Sequence, residues 1–207
     1  MSAVRHRLAR GAPGLQGATL LVGLAGVGLC AVGAAADMTA FLRAYLIGLV
    51  TWIDLPLGCL LLLLTYHLTG GGWGLALGGP MEAAVRTLPL LALLFVPVLL
   101  DLEIVFPWAR HAFLTEHAAV GKKAAYLDAT FFTARAAVYW VTWVALAFAL
   151  TSPHRGGALA ERPRSKGLAA AGAILYALSA SFAAVDWIVS LEPTFYSSAF
   201  GMLAMSG

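Results

Sequence analysis

From Leu15 to Ala36 the chain runs for 22 residues without one charged side chain. A helix of about 20 apolar residues is long enough to cross the hydrocarbon core of a bilayer. Similar runs recur at Thr39–Tyr66, Thr87–Phe106, Asp128–Leu150 and Gly167–Leu191, and Phe195–Gly207 reads as the start of another. Strands do not explain them. The runs are rich in Leu, Ala and Gly and do not alternate, whereas membrane barrels need alternating segments. Backbone groups in lipid must be satisfied within the protein, which leaves helices. The expectation is an all-α, polytopic transmembrane helix bundle with about five complete spans and the start of a sixth. Residues 1–207 read as a single transmembrane domain, the first part of a longer chain.

Composition excludes the soluble alternative. Hydrophobic residues make up 61% of the 207 and charged ones only 11%, against about 25% charged in ordinary soluble domains. The net charge of +3 does not mark a nucleic-acid binder, because the basic residues flank the spans and act there as topology signals. With the N-terminus in the cytoplasm, that side holds Arg5, Arg7, Arg10, Arg86, Arg155, Arg162, Arg164 and Lys166. The other side holds Arg43, Arg110, Lys122 and Lys123, with Arg135 embedded nearby. Eight against five favours the N-in arrangement. The stretch behind Arg10 is too long for a signal-peptide core, although Ala34-Ala35-Ala36-Asp37 weakly resembles a cleavage site. Cys30 and Cys59 lie inside apolar runs and read as packing residues. The run Gly70-Gly71-Gly72-Trp73-Gly74 lacks the Lys-Ser/Thr of a phosphate loop.

Charges in lipid are costly, so an embedded ionisable residue is a candidate for function. Asp54, Glu103, Arg135 and Asp186 stand out, with Asp101 beside them. Arg43, Asp54 and Thr65 are each eleven residues apart, close to three helical turns, and share a face. Asp128, Arg135, Tyr139 and Thr142 form one stripe in the fourth span, and Ser179, Asp186 and Ser190 another in the fifth. Asp101 and Glu103 are two apart and point to different sides. Arg135 is expected to neutralise Glu103 or Asp186, while Asp54 lies deeper with no evident partner. The bland reading is a structural ion-pair network; the sharper one gives Asp54 a proton-handling or quinone-contacting role. Haem ligation by paired histidines within spans is absent: His67 ends one span, and His111 and His117 lie beyond another. No Ser-His-Asp order, CxxC or HExxH occurs, so no metal or catalytic set is expected.

Several stretches together resemble one family. They are Phe41–Leu46 leading to Asp54-Leu55-Pro56-Leu57-Gly58, Tyr66–Gly74, Lys123–Phe132 leading to Arg135–Trp140, and Asp186-Trp187-Ile188-Val189-Ser190-Leu191-Glu192-Pro193 followed by Phe195–Ser198 and Gly201. The chain is similar to the F subunit of bacterial alternative complex III, a quinol:cytochrome c oxidoreductase, whose membrane subunits are polysulfide-reductase-like. The resemblance spans most of the chain, and the Asp-Trp-Ile-Val-Ser-Leu-Glu-Pro run is its most specific part. It implies two helical bundles in a longer chain, residence in the bacterial inner membrane, and no redox centre of the chain's own. Haem c and iron–sulfur clusters would lie in partner subunits, electrons would pass to cytochrome c or a terminal oxidase, and quinone or quinol would be the nearest small molecule. Asp54, Glu103, Arg135, Tyr139, Asp186 and Glu192 are the candidates for a proton path or quinone contact. Where the family carries a polar or aromatic residue, often His, after Glu-Pro, this chain has Thr194, so no histidine role carries over. The competing readings are an ion- or proton-translocating transporter and a purely structural anchor.

Overall fold

The computed structural model describes residues 13–110, 126–151 and 166–193. Every regular element among them is helical. Among the described residues five helical stretches are long and apolar enough to cross a membrane: Gly17–Ala36, Met38–Thr69, Ala76–Leu100, Ala129–Thr151 and Lys166–Leu191. The protein is therefore an all-α, multi-pass membrane bundle. The stretch expected to open a sixth span lies outside the described residues, as do the polar loops that carry His111, His117, Lys122 and Arg155.

The chain divides into two compact units, Met1–Ala44 and Tyr45–Gly207. In the first, α1 (Pro13–Ala36) is apolar on all sides, and its side chains from Gly17 onward are almost all exposed. Such a helix needs lipid or another helix around it. Only Asp37 separates it from α2 (Met38–Thr69). The Asp37 carboxylate accepts the N–H groups of Thr39 and Ala40 at 2.9 and 3.0 Å, which caps α2. The Ala-Ala-Ala-Asp sequence is thus a helix end followed by a helix start.

In the second unit α2 continues with a leucine face. Leu46, Leu49, Ile53, Leu57, Leu60 and Leu64 are buried at intervals of three and four, one side of a helix. At 32 residues α2 is about 48 Å long, more than the roughly 30 Å of hydrocarbon it would cross. It stops at a turn in which Gly70 and Gly71 have φ of 79° and 117°, values that glycine reaches without steric cost. The Trp73 indole pins this turn by donating to the Gly70 carbonyl at 3.0 Å.

The helices α3 (Gly74–Val85) and α4 (Leu88–Leu100) follow. Pro89 separates them, because it has no N–H for the Val85 carbonyl and its ring crowds that carbonyl. The Thr87 N–H and hydroxyl both turn to the Ala84 carbonyl instead. The third span was expected over Thr87–Phe106. By composition the apolar window is Ala76–Leu100, yet packing places 86–108 alongside the next helix, α6 (Ala129–Thr151). Arg86 donates to the Thr151 carbonyl at 2.8 Å at one end of it, and Phe106 and Trp108 pack on Phe132 near the other. What the sequence reading left out is α3, which lies in a segment it treated as connection. The far end also differs. The helix breaks at Asp101 (φ −122°, ψ 46°) and continues only as the short α5 (Leu102–Val105) and a 3₁₀ turn at Pro107–Ala109.

The central element is α6, which packs on α3, α4 and α7 (Lys166–Trp187). Hydroxyls along the helices bond back to carbonyls one turn earlier, as at Thr51, Thr133, Thr142 and Ser181. They need no water to satisfy them, which suits an apolar surrounding. Gly172 of α7 marks a close approach to two leucines. A Cβ there would sit 2.8 Å from Leu64 Cδ2 and 2.9 Å from Leu146 Cδ2. Both are methyl ends that can rotate away. Gly172→Ala is expected to cost about 1 kcal/mol and Gly172→Leu about 3 kcal/mol, read from denaturant titrations in detergent micelles. Equal stability of both variants would show that α7 is not pressed against these leucines.

Candidate functional site: an Asp–Arg–Tyr cluster between α6 and α7

The last turn of α7 carries Asp186, whose side chain is 1% exposed. Arg135 and Tyr139, one turn apart on α6, face it. Arg135 Nε donates to Oδ2 at 2.8 Å and Nη2 to Oδ1 at 2.9 Å. The Tyr139 hydroxyl also donates to Oδ2, at 2.8 Å. Two parallel bonds from a guanidinium are the strong form of the ion pair. The remaining geometry holds the arginine. Its Nη1 donates to the Tyr126 carbonyl at 3.0 Å, and its Cζ lies 3.9 Å from the Tyr126 ring centroid and 4.3 Å from that of Phe131. Aromatic faces favour a cation in such positions. The Ser190 hydroxyl donates to the Asp186 carbonyl, taking up one of the acceptors that a helix C-terminus leaves open. At the start of α6, Asp128 caps the helix by accepting the Phe131 N–H at 2.8 Å.

The Tyr126 hydroxyl is buried and has no hydrogen-bond partner among the described residues. Burial, and behind it the nearby Asp186 carboxylate, pushes its pKa well above the usual tyrosine value; Arg135 opposes this only in part. It stays a neutral phenol at any physiological pH.

An aromatic layer adjoins the cluster. Trp143 is fully buried and donates to the Ser179 hydroxyl at 2.9 Å. It stacks on Tyr139 at 6.3 Å and meets Trp187 edge-on at 5.6 Å. Phe95 of α4 closes on Trp187 at 4.4 Å. The indole N–H groups of Trp140 and Trp187 are buried without a partner among the described residues.

The sequence candidates separate. Arg135, Tyr139 and Asp186 come together, and Ser179 and Ser190 from the same stripe join their surroundings. The open choice between Glu103 and Asp186 resolves to Asp186. Glu103 is exposed, and its backbone carbonyl accepts Arg110 Nε at 2.8 Å. Asp101 forms the break between α4 and α5. Glu192 is exposed and borders a cavity of about 150 Å³ with Tyr126, Leu127 and Ser190. Asp54 lies on the outward side of α2. It lines a cleft of about 30 Å³ with Val50, Ile53, Ala180, Trp143 and Trp187, room for about one water molecule. Trp143 and Trp187 therefore border both Asp54 and the Asp186 cluster. Arg43 and Thr65 are exposed.

Sequence reasoning passed over Tyr126 and Glu82. Tyr126 acts through its carbonyl and ring face, and a backbone acceptor has no signature in sequence. Glu82 is buried and approaches Arg86 at 3.6 Å, an i,i+4 spacing that was legible once α3 was taken as a helix. Chemically, Asp186 is a fixed anion with its charge cancelled by Arg135. Three donors hold it in place. Among the described residues no three His, Cys, Asp or Glu side chains come close enough to share a metal ion. No protein-family model matches the chain, and no curated protein is detectably similar to it in sequence.

Proposed function

We propose that the chain is a membrane subunit of a bacterial quinol-oxidising respiratory complex, akin to the F subunit of alternative complex III. It has no redox centre of its own and supports quinone binding, proton conduction or both beside partners that carry haem c and iron–sulfur clusters. It lies in the inner membrane with its N-terminus in the cytoplasm. One observation carries this reading. The residues on which the resemblance rests are scattered over the sequence, yet Tyr126, Arg135, Tyr139, Trp140, Asp186, Trp187 and Ser190 gather into one region of hydrogen bonds and ring contacts. A motif that is also a structural unit supports common descent more than isolated matches do. The cluster locks α6 to α7, a supporting role that suits a subunit without cofactors. Asp54, at an apolar cleft, is the candidate for handling protons.

The test is to purify the native complex gently through this chain and record its reduced-minus-oxidised spectrum with its quinol oxidation rate. Haem c bands together with quinol oxidation are expected. A colourless preparation inert to quinol would overturn the reading and favour the transporter alternative, which needs no redox partner. If Asp54 handles protons, Asp54→Asn leaves the complex assembled and slows turnover or uncouples it; unchanged turnover and coupling would remove Asp54 from the path.

A further inference from the structure

Asp54 is a carboxyl group in an awkward place. It sits about 23 Å from either end of α2 at 1.5 Å per residue, near the middle of any bilayer that α2 crosses. It is exposed, and its neighbours Trp52 and Leu55 are 68% and 58% exposed. Among the described residues no cation lies within ion-pair distance of it and no donor bonds to it. A carboxylate turned to hydrocarbon at that depth is costly. Embedded acids almost always face a partner group or a water-filled cavity instead. The cleft beside Asp54 is small and mostly apolar, so it offers no aqueous refuge.

We propose that the outward face of α2 around Asp54 docks a transmembrane helix of a partner subunit that carries an arginine or lysine at mid-depth. Charge complementarity names the occupant's chemistry, and the cleft agrees. Trp143, Trp187, Ala180, Ala183 and Ala184 line it. Indole faces attract a cation. The α2 face is also shaped for a helix. Gly48, Thr51 and Gly58 fall within about a third of the circumference beside Asp54 at 3.6 residues per turn. The two glycines have open space where a Cβ would project. Small residues on one side let helix backbones approach closely. A second copy of this chain in a symmetric pair is disfavoured, because it would bring Asp54 against Asp54. The inference rests on membrane residence and the position of Asp54, not on the respiratory reading as a whole; it and the proton role of Asp54 are alternatives that Asp54→Asn tells apart.

The experiment places a photoreactive amino acid at Thr51 or Leu55 in the full chain in native membranes, with Leu93 of α4, 66% exposed, as the control position. Irradiation from 51 and 55, but not from 93, is expected to label one transmembrane peptide of another subunit with an Arg or Lys near its centre. Asp54→Asn should reduce recovery of that subunit at least tenfold after solubilisation. Asp54→Lys should abolish recovery, and changing the partner's cation to Asp in the Asp54→Lys background should restore it. Labelling of lipid alone, of a second copy or of another part of this same chain would overturn the proposal. So would an Asp54→Asn complex that keeps all its subunits and only turns over slowly, which is the signature of the proton role.

Discussion

Asp186→Ala is expected to lower the stability of the purified protein in detergent micelles by about 3–5 kcal/mol. The substitution leaves the Arg135 guanidinium, whose side chain is only 11% exposed, without its counter-charge. It also strands the Tyr139 hydroxyl. Arg135→Ala should cost a similar amount, because it strands the more deeply buried Asp186. The double variant Arg135→Met/Asp186→Leu should lose far less than the sum. Both desolvation penalties vanish with the charges, and buried ion pairs replaced by apolar side chains often break even. Tyr139→Phe removes one hydrogen bond to a charged acceptor and should cost about 1.5–3 kcal/mol. Titration with a denaturing detergent, followed through the tryptophan signal, gives all four values. Single variants no more harmful than the double one would mean that water reaches the pair and screens it.

Trp143→Ala should be the second severe change, at about 3 kcal/mol. Trp143 is fully buried and touches Tyr139, Trp140, Trp187 and Ser179 together. In lipid the gain from leaving water is small, since the unfolded helices are also in an apolar solvent. Most of the loss is therefore packing: a cavity opens where four neighbours meet. Trp143→Phe should recover more than half by refilling most of that space, while the Ser179 hydroxyl keeps its own bonds to the Leu175 and Tyr176 carbonyls. An alanine variant as stable as the parent would show that α4 and α7 close over the gap.

What could be read from the sequence was what repeats along it. Long apolar runs located α1, α2, α6 and α7 to within a few residues. Helical spacing put Arg135 and Tyr139 on one face and Ser179, Asp186 and Ser190 on another. Two kinds of feature escaped. The first is where a helix starts in an apolar chain. Gly74–Val85 contains Pro80 and three glycines, all weak helix formers, and it folds because Met81 and Val85 find buried positions. Packing overrode propensity there. The second is pairing between distant segments. Arg135 could have met Glu103 or Asp186 by depth alone, and only the break at Asp101, which turns Glu103 to the surface, decides between them. Backbone acceptors such as the Tyr126 and Thr151 carbonyls are invisible for the same reason: every residue carries one.

The bidentate pair also bears on how such a chain enters a membrane during synthesis. Taken singly, α6 brings the Arg135 charge into the bilayer and α7 the Asp186 charge. Each carries an insertion penalty, smaller than the mid-span figure of about 2.5–3.5 kcal/mol because both residues lie near helix ends. Joined through Asp186 and Arg135 the two are electrically neutral. The lowest-cost path holds α6 at the insertion machinery until α7 has been made, so that the helices pass into lipid as one hairpin rather than in turn. On that path the same bonds that secure the finished bundle would couple the release of one helix to the arrival of the next.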